Sequence, residues 1–494
     1  MSFSRMWRIE GILTTKTPLH IGDGFTTHHC KIKEGDKPED KCVDITSVVK
    51  DVNGRAYLPG TSIKGDIRAW IKSRGCPAYD IFEQIFGSED TKKKEAMGGK
   101  AEFWNAYALP LEEQNISYCG SYWRPERLTD VTVSVALDRR KKTAIDQKLF
   151  YYEFVPPGIK FKVTITVPFA SMNEIALLLY ALEYGFSDDN PIVIGASTGD
   201  DWGRLGWKLE NISKIDAEDV KKWINDNSMG KKCDFVSIKE KEEFQNLKDE
   251  ASKLACPAKN GTDRINVKLK FKGPFLVNDP GEVKQINKDE TDENKKIDHI
   301  PRRNHDKKII LPAKSFRGAF RSQAERIIRT LGGRACCPSD PCKPDKSDKP
   351  DKKPCLACQI FGSTGQKSLI SFTDFVQCDT ENPEIKRQEF IAIDRFTGGG
   401  AKSLKFNAEA VIDPELKGTI SIDKSKIENW GKGLLALTIR DLMEGDITFG
   451  FGSAKGYGKC EAEMDFLVEK NRKDINTCVN EFREKVKKEG ANNG

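Results

Sequence analysis

The chain repeats itself, and no other feature constrains its fold so tightly. The stretch LPGTSIKGDIRAWIKS from Leu58 returns as LPAKSFRGAFRSQAER from Leu311, 253 residues later. At that offset Ser62, Lys64, Gly65 and Arg68 fall on Ser315, Arg317, Gly318 and Arg321. Four more landmarks follow in the same order, with small insertions. IFGS recurs at Ile85 and Ile360, and VALDRR ending at Arg140 matches IAIDRF ending at Phe396. YYEFVPPGIKFKVTI matches NAEAVIDPELKGTISI, with Glu153 on Glu409. IGASTGDDWGRLG from Ile194 matches FGFGSAKGYGKCE from Phe449. Five landmarks in one order mark a tandem duplication.

Each copy opens on a strand of period-two alternation, RMWRIEGILTT in the first and RINVKLKFKGPFLV in the second. A polar stretch, the Leu-Pro loop and a helix follow. Two strands then flank the Asp-Arg segment, and an apolar helix (NEIALLLYALEYGF, NWGKGLLALTIRDLM) leads to a glycine-rich loop and a last strand. The order β-α-β-β-α-β predicts an α+β chain of two tandem ferredoxin-like domains, the order also used by RNA-recognition modules. The expected boundaries are 1–212 for the first domain and 213–262 for a charged, partly helical linker. The second domain is expected over 263–469 and a charged helical tail over 470–494.

Composition narrows the chemistry. At 494 residues more than one domain is expected. The chain is 38% hydrophobic and carries 26 Phe, enough for real cores, while 32% charged residues demand an ionic surface. A net charge of +6 favours an anionic partner only through where the cations sit. No apolar run is long enough to span a bilayer, and the start MSFSRMWRIEGILTT lacks the apolar core of a signal peptide. A cytoplasmic protein with reduced thiols is expected, so clustered cysteines point to metal. The Leu-Pro loop lacks the Gly-x4-Gly-Lys-Ser/Thr order of a nucleotide-binding loop.

The LPG(T/S)S-(I/L)KG-x-(I/L)R loop, the IFGS turn, the central IDR-type segment and the late glycine loop together resemble the RAMP superfamily. Within it the chain resembles the repeating backbone subunit of type III CRISPR effector complexes. Two copies in one chain resemble the fused backbone proteins of type III-D-like complexes. The resemblance spans roughly Met6 to Asn211 and Arg264 to Glu469. It implies a scaffold that winds along a guide RNA, pairs it with a complementary target RNA and cuts that target, alongside other subunits of the complex.

The helices support such a role. Ile63, Ile67 and Trp70 or Ile71 form one buried stripe, and Phe316, Phe320, Ala324, Ile327 and Leu331 form the other. Lys64 and Arg68, like Arg317 and Arg321, lie four apart on the opposite edge. A Ser62 or Ser315 cap, first-turn amides and two cations predict a phosphate site; the alternative is an ordinary cap with a solvated cationic face. In the glycine loops, where Trp202 matches Tyr457, the candidate RNA contacts are Gly199, Trp202 and Arg204 in the first copy and Lys455, Gly456 and Tyr457 in the second, the glycines for close backbone approach and the aromatics for stacking. The Asp-Arg segments resemble the family's thumb hairpin, which wedges into the guide–target duplex. Arg139, Arg140, Lys141 and Lys142 would then meet phosphates, and Arg395 with Phe396 would meet the backbone and a base edge.

The resemblance also implies a cutting aspartate in the loop before each Leu-Pro motif. Asp44 precedes Leu58 by 14 residues, with one residue more between it and Asp51 than the family's D-x(5)-D pattern has, and Asp298 precedes Leu311 by 13, with Asp306 the less favoured choice. One carboxylate can accept a 2′-hydroxyl proton, or hold Mg2+ or another divalent metal, while a displaced nucleotide adopts in-line geometry. The second copy alone carries ACCPSDPC…CLACQIFGS. Two ligand pairs across a Pro/Lys/Asp-rich loop fit structural Zn2+, with Cys337, Cys342, Cys355 and Cys358 as ligands and Cys336 as the alternate to Cys337. Two other functions remain: a guide-RNA scaffold without catalysis, and a guide-processing endoribonuclease using one of His20, His28, His29, His299 or His305.

Overall fold

The structure is a computed structural model. It describes residues 6–30, 42–74, 79–88, 98–114, 116, 118, 120, 122–139, 141, 143–187, 191–225, 233–254, 262–288, 295–338, 340–342, 354–378, 383–464 and 472–491.

Each copy folds around its own antiparallel sheet. In the first, Met6–Thr15 sits between Lys160–Pro168 and Leu205–Ile215. Ala106–Ala108 pairs with the far side of Lys160–Pro168, and Tyr57–Leu58 closes that edge. The second copy repeats the plan: Thr262–Phe271 lies between Glu415–Asp423 and Cys460–Glu463, with Phe375–Gln377 and Ile310–Leu311 beyond. Counting the principal strands along each copy, both sheets run last, first, third, second. The alternation read from sequence sets the register. Trp7, Ile9 and Leu13 point to the core, and Ile9 stands opposite both Ile165 and Ile212. The first strand bulges at Glu10/Gly11, where the Trp207 ring lies so close that any Cβ at Gly11 would meet it at 2.3 Å.

Two helices cover one face of each sheet. Gly60–Ser73 and Met172–Gly185 do so in the first copy, Ala313–Thr330 and Asn429–Met443 in the second. Met172–Gly185 begins with a Ser171/Glu174 capping box. Ile63, Ile67, Trp70 and Ile71 are buried, as are Phe316, Phe320, Ala324 and Ile328. Ile327 is only partly buried and Leu331 is exposed, so the second stripe ends one turn earlier than the sequence suggests. Phe316 stacks on Phe375 at 4.3 Å and Phe449 at 5.0 Å, joining the Leu-Pro helix, the strand Phe375–Gln377 and the start of the glycine loop in one aromatic cluster.

Within 213–262, expected as a linker, a described strand and helix pack onto the first copy. The strand Leu205–Ile215 continues into this segment, and Val236–Ser237 pairs with that strand. The helix Glu242–Lys253 buries Phe244, Leu247 and Ala251 in the first core. The tail helix Arg472–Ala491 buries Phe482 and Val486 in the second core. Lys/Glu-rich composition concealed these few apolar anchors.

From each body projects a long hairpin. The first pairs Asp130–Asp138 with Thr143–Phe154 and the second pairs Ile385–Ile393 with Gly400–Ile412. Their tips are built alike: Asp138 accepts the Lys141 amide at 3.1 Å and Asp394 the matching Thr397 amide at 3.2 Å. Among the described residues no helix is long and apolar enough to cross a membrane.

Candidate nucleic-acid interface

Both candidate aspartates lie where a loop meets the base of a hairpin. Asp44 is exposed on the strand Cys42–Val48, and the next residue, Ile45, pairs in parallel with Tyr151 of the return strand. Asp298 is exposed, and the next residue, His299, bridges in parallel to Ala408 of the second return strand. The two acids thus stand at neighbouring stations rather than the same one: Ala408 is the counterpart of Tyr152, which pairs with Thr46, so Asp298 falls on Ile45, one residue beyond Asp44. Asp298 is fixed by a reciprocal pair: its Oδ2 accepts the Asn407 amide at 2.8 Å, and its own amide donates to Asn407 Oδ1 at 3.1 Å.

The neighbouring acids serve elsewhere. Asp51 Oδ1 accepts the amides of Asn53 and Arg55 at 2.8 and 2.9 Å, closing a turn. Asp306 lies in the turn headed by Asn304 and pairs with His305 at 3.3 Å.

Beneath each loop lies a side chain whose supporting role sequence reasoning did not foresee. Glu153 lies under the first loop and accepts the Val48 amide at 3.1 Å, the Thr129 hydroxyl at 2.9 Å and Lys50 Nζ at 2.6 Å. In the second copy His299 stands between Phe451 and Phe406, with ring centroids 4.8 and 5.8 Å away. Its Nδ1 is buried without a hydrogen-bond partner. Burial lowers its pKa, and Lys455 adds to that against Asp298. Lys455 itself lies over the rings of Phe406, Phe390 and Phe451, at 4.2, 4.7 and 5.3 Å.

The expected caps are not formed by serine. Pro59 and Pro312 occupy the N-cap positions, and neither helix has a side-chain cap from its own first residues. Asn105 Oδ1 accepts the Gly60 amide at 3.0 Å and Asp374 Oδ1 the Ala313 amide at 2.7 Å. Ser62 and Ser315 lie inside the first turn, their amides directed to the Pro59 and Pro312 carbonyls. Side chains of a neighbouring segment therefore take first-turn donors that a phosphate would need.

The paired cations also have protein partners. Arg68 Nη2 donates to the Gly87 carbonyl and Arg321 Nη1 to the Gly362 carbonyl, both at 3.1 Å. These glycines end the IFGS helices at positive φ. Lys64 Nζ donates to the Ala101 carbonyl at 3.0 Å, and burial followed by Arg68 lowers its pKa. Arg317 reaches into the first copy's glycine loop and pairs with Asp200 at 3.0 Å, its guanidinium resting where a Cβ on Gly199 would intrude. Arg139 of the first hairpin pairs with Glu325 of the second copy at 2.9 Å. Glu325 is fully buried and also holds Arg321 and Arg329. Arg140 lies outside the described residues, as does Lys142.

The glycine loops differ in their aromatics from the stacking platforms expected of them. Trp202 packs on Phe154 at 5.5 Å. Tyr457 is buried against Phe390 and Phe451, and its hydroxyl donates to Gln388. Arg204 pairs with Asp201 at 3.0 Å, and burial pushes the Asp201 carboxyl up to about 7. Gly456 adopts φ +82° at the end of its loop. At the tip of the second hairpin Arg395 is exposed and Phe396 stands wholly in solvent.

The sulfurs of Cys336, Cys342, Cys355 and Cys358 lie within 4.8 Å of one another. Cys336, the alternate, therefore replaces Cys337. Cys337 bridges to Asp340 in a tight turn, which faces the two adjacent thiols differently. Arg321 Nη2 donates to Cys358 Sγ at 3.2 Å and Cys336 Sγ at 3.8 Å. Contacts with Cys355 and Cys358 hold the Cys336 thiol far below its ordinary range, while contact with Cys336 pushes Cys355 up to about 11. Four convergent thiols with a nearby cation fit a closed tetrahedral metal site.

A family model for the RAMP superfamily matches residues 12–207 and again 268–461. The chain belongs to the RAMP superfamily. Its two RAMP regions coincide with the two sheets. A curated relative, the CRISPR system Cms endoribonuclease Csm3 of Methanocaldococcus jannaschii, is 27% identical over 250 residues. That alignment covers 47% of this RAMP chain and 90% of the relative.

Proposed function

We propose that the chain is a two-copy backbone subunit of a type III CRISPR effector complex. It binds guide RNA, presents complementary target RNA to two equivalent loops, and assembles with the other subunits. The last, first, third, second strand order supports a ferredoxin-like reading of each copy, and similarity to Csm3 supports the subunit class. The observation that carries the cutting role is an exposed aspartate at the base of each hairpin, Asp44 and Asp298, within one residue of the same register.

Each carboxylate is exposed, and Asp298 is oriented by Asn407, as a residue meeting a displaced nucleotide must be. It accepts the 2′-hydroxyl proton as the 2′-oxygen attacks phosphorus. The 5′-oxygen leaves and takes a proton from solvent, giving a 2′,3′-cyclic phosphate and a 5′-hydroxyl. A single exposed carboxylate at each station fits Mg2+, which with phosphate oxygens would supply charge neutralisation. Zn2+ in the Cys336, Cys342, Cys355, Cys358 set is structural, since four thiolates leave no open position.

The assay is cleavage of end-labelled complementary RNA by the guide-loaded complex in Mg2+. Asp44→Ala and Asp298→Ala should each abolish one discrete cut while RNA binding is kept. Unchanged cutting in both variants contradicts the cutting role of these acids, and a wild-type complex that binds the target without cutting it is a scaffold. The guide-processing alternative gains nothing from His20, whose Nδ1 is held against the Glu153 carbonyl at 2.7 Å.

A further inference from the structure

The contact between the two copies supplies a template for what the chain's open face can accept. Two charge pairs define it: Arg317 on Asp200, and Glu325 on Arg139. A third contact runs from Lys314 Nζ to Ser134 Oγ at 3.0 Å. The second copy has its own glycine loop and its own hairpin, and the first copy has its own Leu-Pro helix. The duplication therefore predicts what would meet if a second copy of this chain docked in the same way.

Every charge in that register is wrong. The glycine loops superimpose residue for residue: Gly195 and Gly450 both have positive φ, as do Ser197 with Gly452, Asp201 with Gly456, and Gly203 with Gly458. Lys455 thus stands where Asp200 stands, and Ala454 where Gly199 stands. On the helix, Lys64 takes the place of Arg317 and Lys72 that of Glu325. The hairpin turns, each closed by an aspartate, put Arg395 where Arg139 lies. A second copy would set Lys64 against Lys455 and Lys72 against Arg395. The Ala454 methyl would also crowd the seat, since a Cβ at Gly199 would lie 3.0 Å from the Arg317 guanidinium. Two attractive pairs become two repulsive ones.

We propose that the open face of the second copy, built around Lys455 and Arg395, refuses a second copy of this chain. It receives instead a different protein whose docking helix carries carboxylates at two positions eight residues apart, the spacing of Arg317 and Glu325. Lys455 and Arg395 are exposed and Phe396 beside them is bare, so the face is open as well as cationic. Its counterparts in the first copy bind protein, which favours a protein occupant over RNA. The inference rests on the contacts between the copies and stands whether or not the chain cuts RNA.

Charge reversal tests it on the full chain, freed of nucleic acid, by sedimentation velocity at low and high salt. The wild type should remain a single chain. Lys64→Asp with Lys72→Glu creates the acidic helix, and this variant should self-associate about tenfold or more tightly than the wild type, with loss at high salt. Adding Lys455→Asp and Arg395→Glu to it should restore the single chain. A second set, Ala454→Gly with Lys455→Asp and Arg395→Glu, leaves the Leu-Pro helix untouched and should associate on its own. Wild-type chains that oligomerise as readily as either variant overturn the proposal. So do folded variants that stay single and differ only in weaker RNA binding, which would make the face an RNA surface.

Discussion

The two glycine loops share one backbone and differ in what they hold. The first is filled by Arg317 and its flanking hairpin is anchored on Glu325; the second offers Lys455 to solvent and its hairpin tip ends in an exposed Phe396. The difference teaches that a duplicated motif can keep its geometry while its chemistry inverts. In this chain Arg317 grips protein rather than solvent, so a repeated cation is not by itself a nucleic-acid contact.

The largest effect is expected at Glu325, which holds Arg139, Arg321 and Arg329 out of solvent. Glu325→Ala leaves these cations without their acid and should cost about 3–5 kcal/mol in urea denaturation. Its counterpart Lys72 is exposed on the first copy, and Lys72→Ala should stay within about 0.5 kcal/mol. Equal effects would erase the asymmetry.

Next comes the thiol cluster, present in one copy only. Cys336→Ser should lose bound metal and lower the melting temperature by roughly 5–10 °C, the equivalent of about 2–3 kcal/mol in a domain of this size. Cys337→Ser should keep one metal ion per chain by elemental analysis. The opposite pattern would restore Cys337 as the ligand. Because Arg321 joins the thiols to Glu325, chelation should also loosen the first hairpin.

The smallest effect concerns pH. His299 has its pKa lowered by burial, so the unfolded chain binds its proton more readily. Stability from this residue is complete above about pH 6.5 and declines as pH falls through that value. Thr46 holds the matching position in the first copy, and His299→Thr should remove the decline. A slope that survives the substitution would place the titrating group elsewhere.

The repeat was legible because landmarks survive at matching spacings, and both sheets follow from the alternation in RMWRIEGILTT and RINVKLKFKGPFLV. The role of the cations was not. Arg68 and Arg321 recur at one offset because each satisfies the glycine carbonyl ending an IFGS helix, a structural need that duplication preserves as faithfully as function. The serine caps failed because Pro fixes both N-cap positions and the capping groups, Asn105 and Asp374, lie 45 and 61 residues away along the chain. Cys336 and Cys337 are adjacent, so ligand spacing could not separate them; the turn at Asp340 does. Glu153 and Asn407 escaped notice as supports because their partners are backbone amides of distant loops.

Hydrogen exchange on the two glycine loops tests the asymmetry most directly. The account predicts that amides over 195–203 exchange about tenfold or more slowly than those over 450–458, and that Arg317→Ala accelerates the first loop alone. Equal protection of the two loops, or no response of the first to Arg317→Ala, would contradict it.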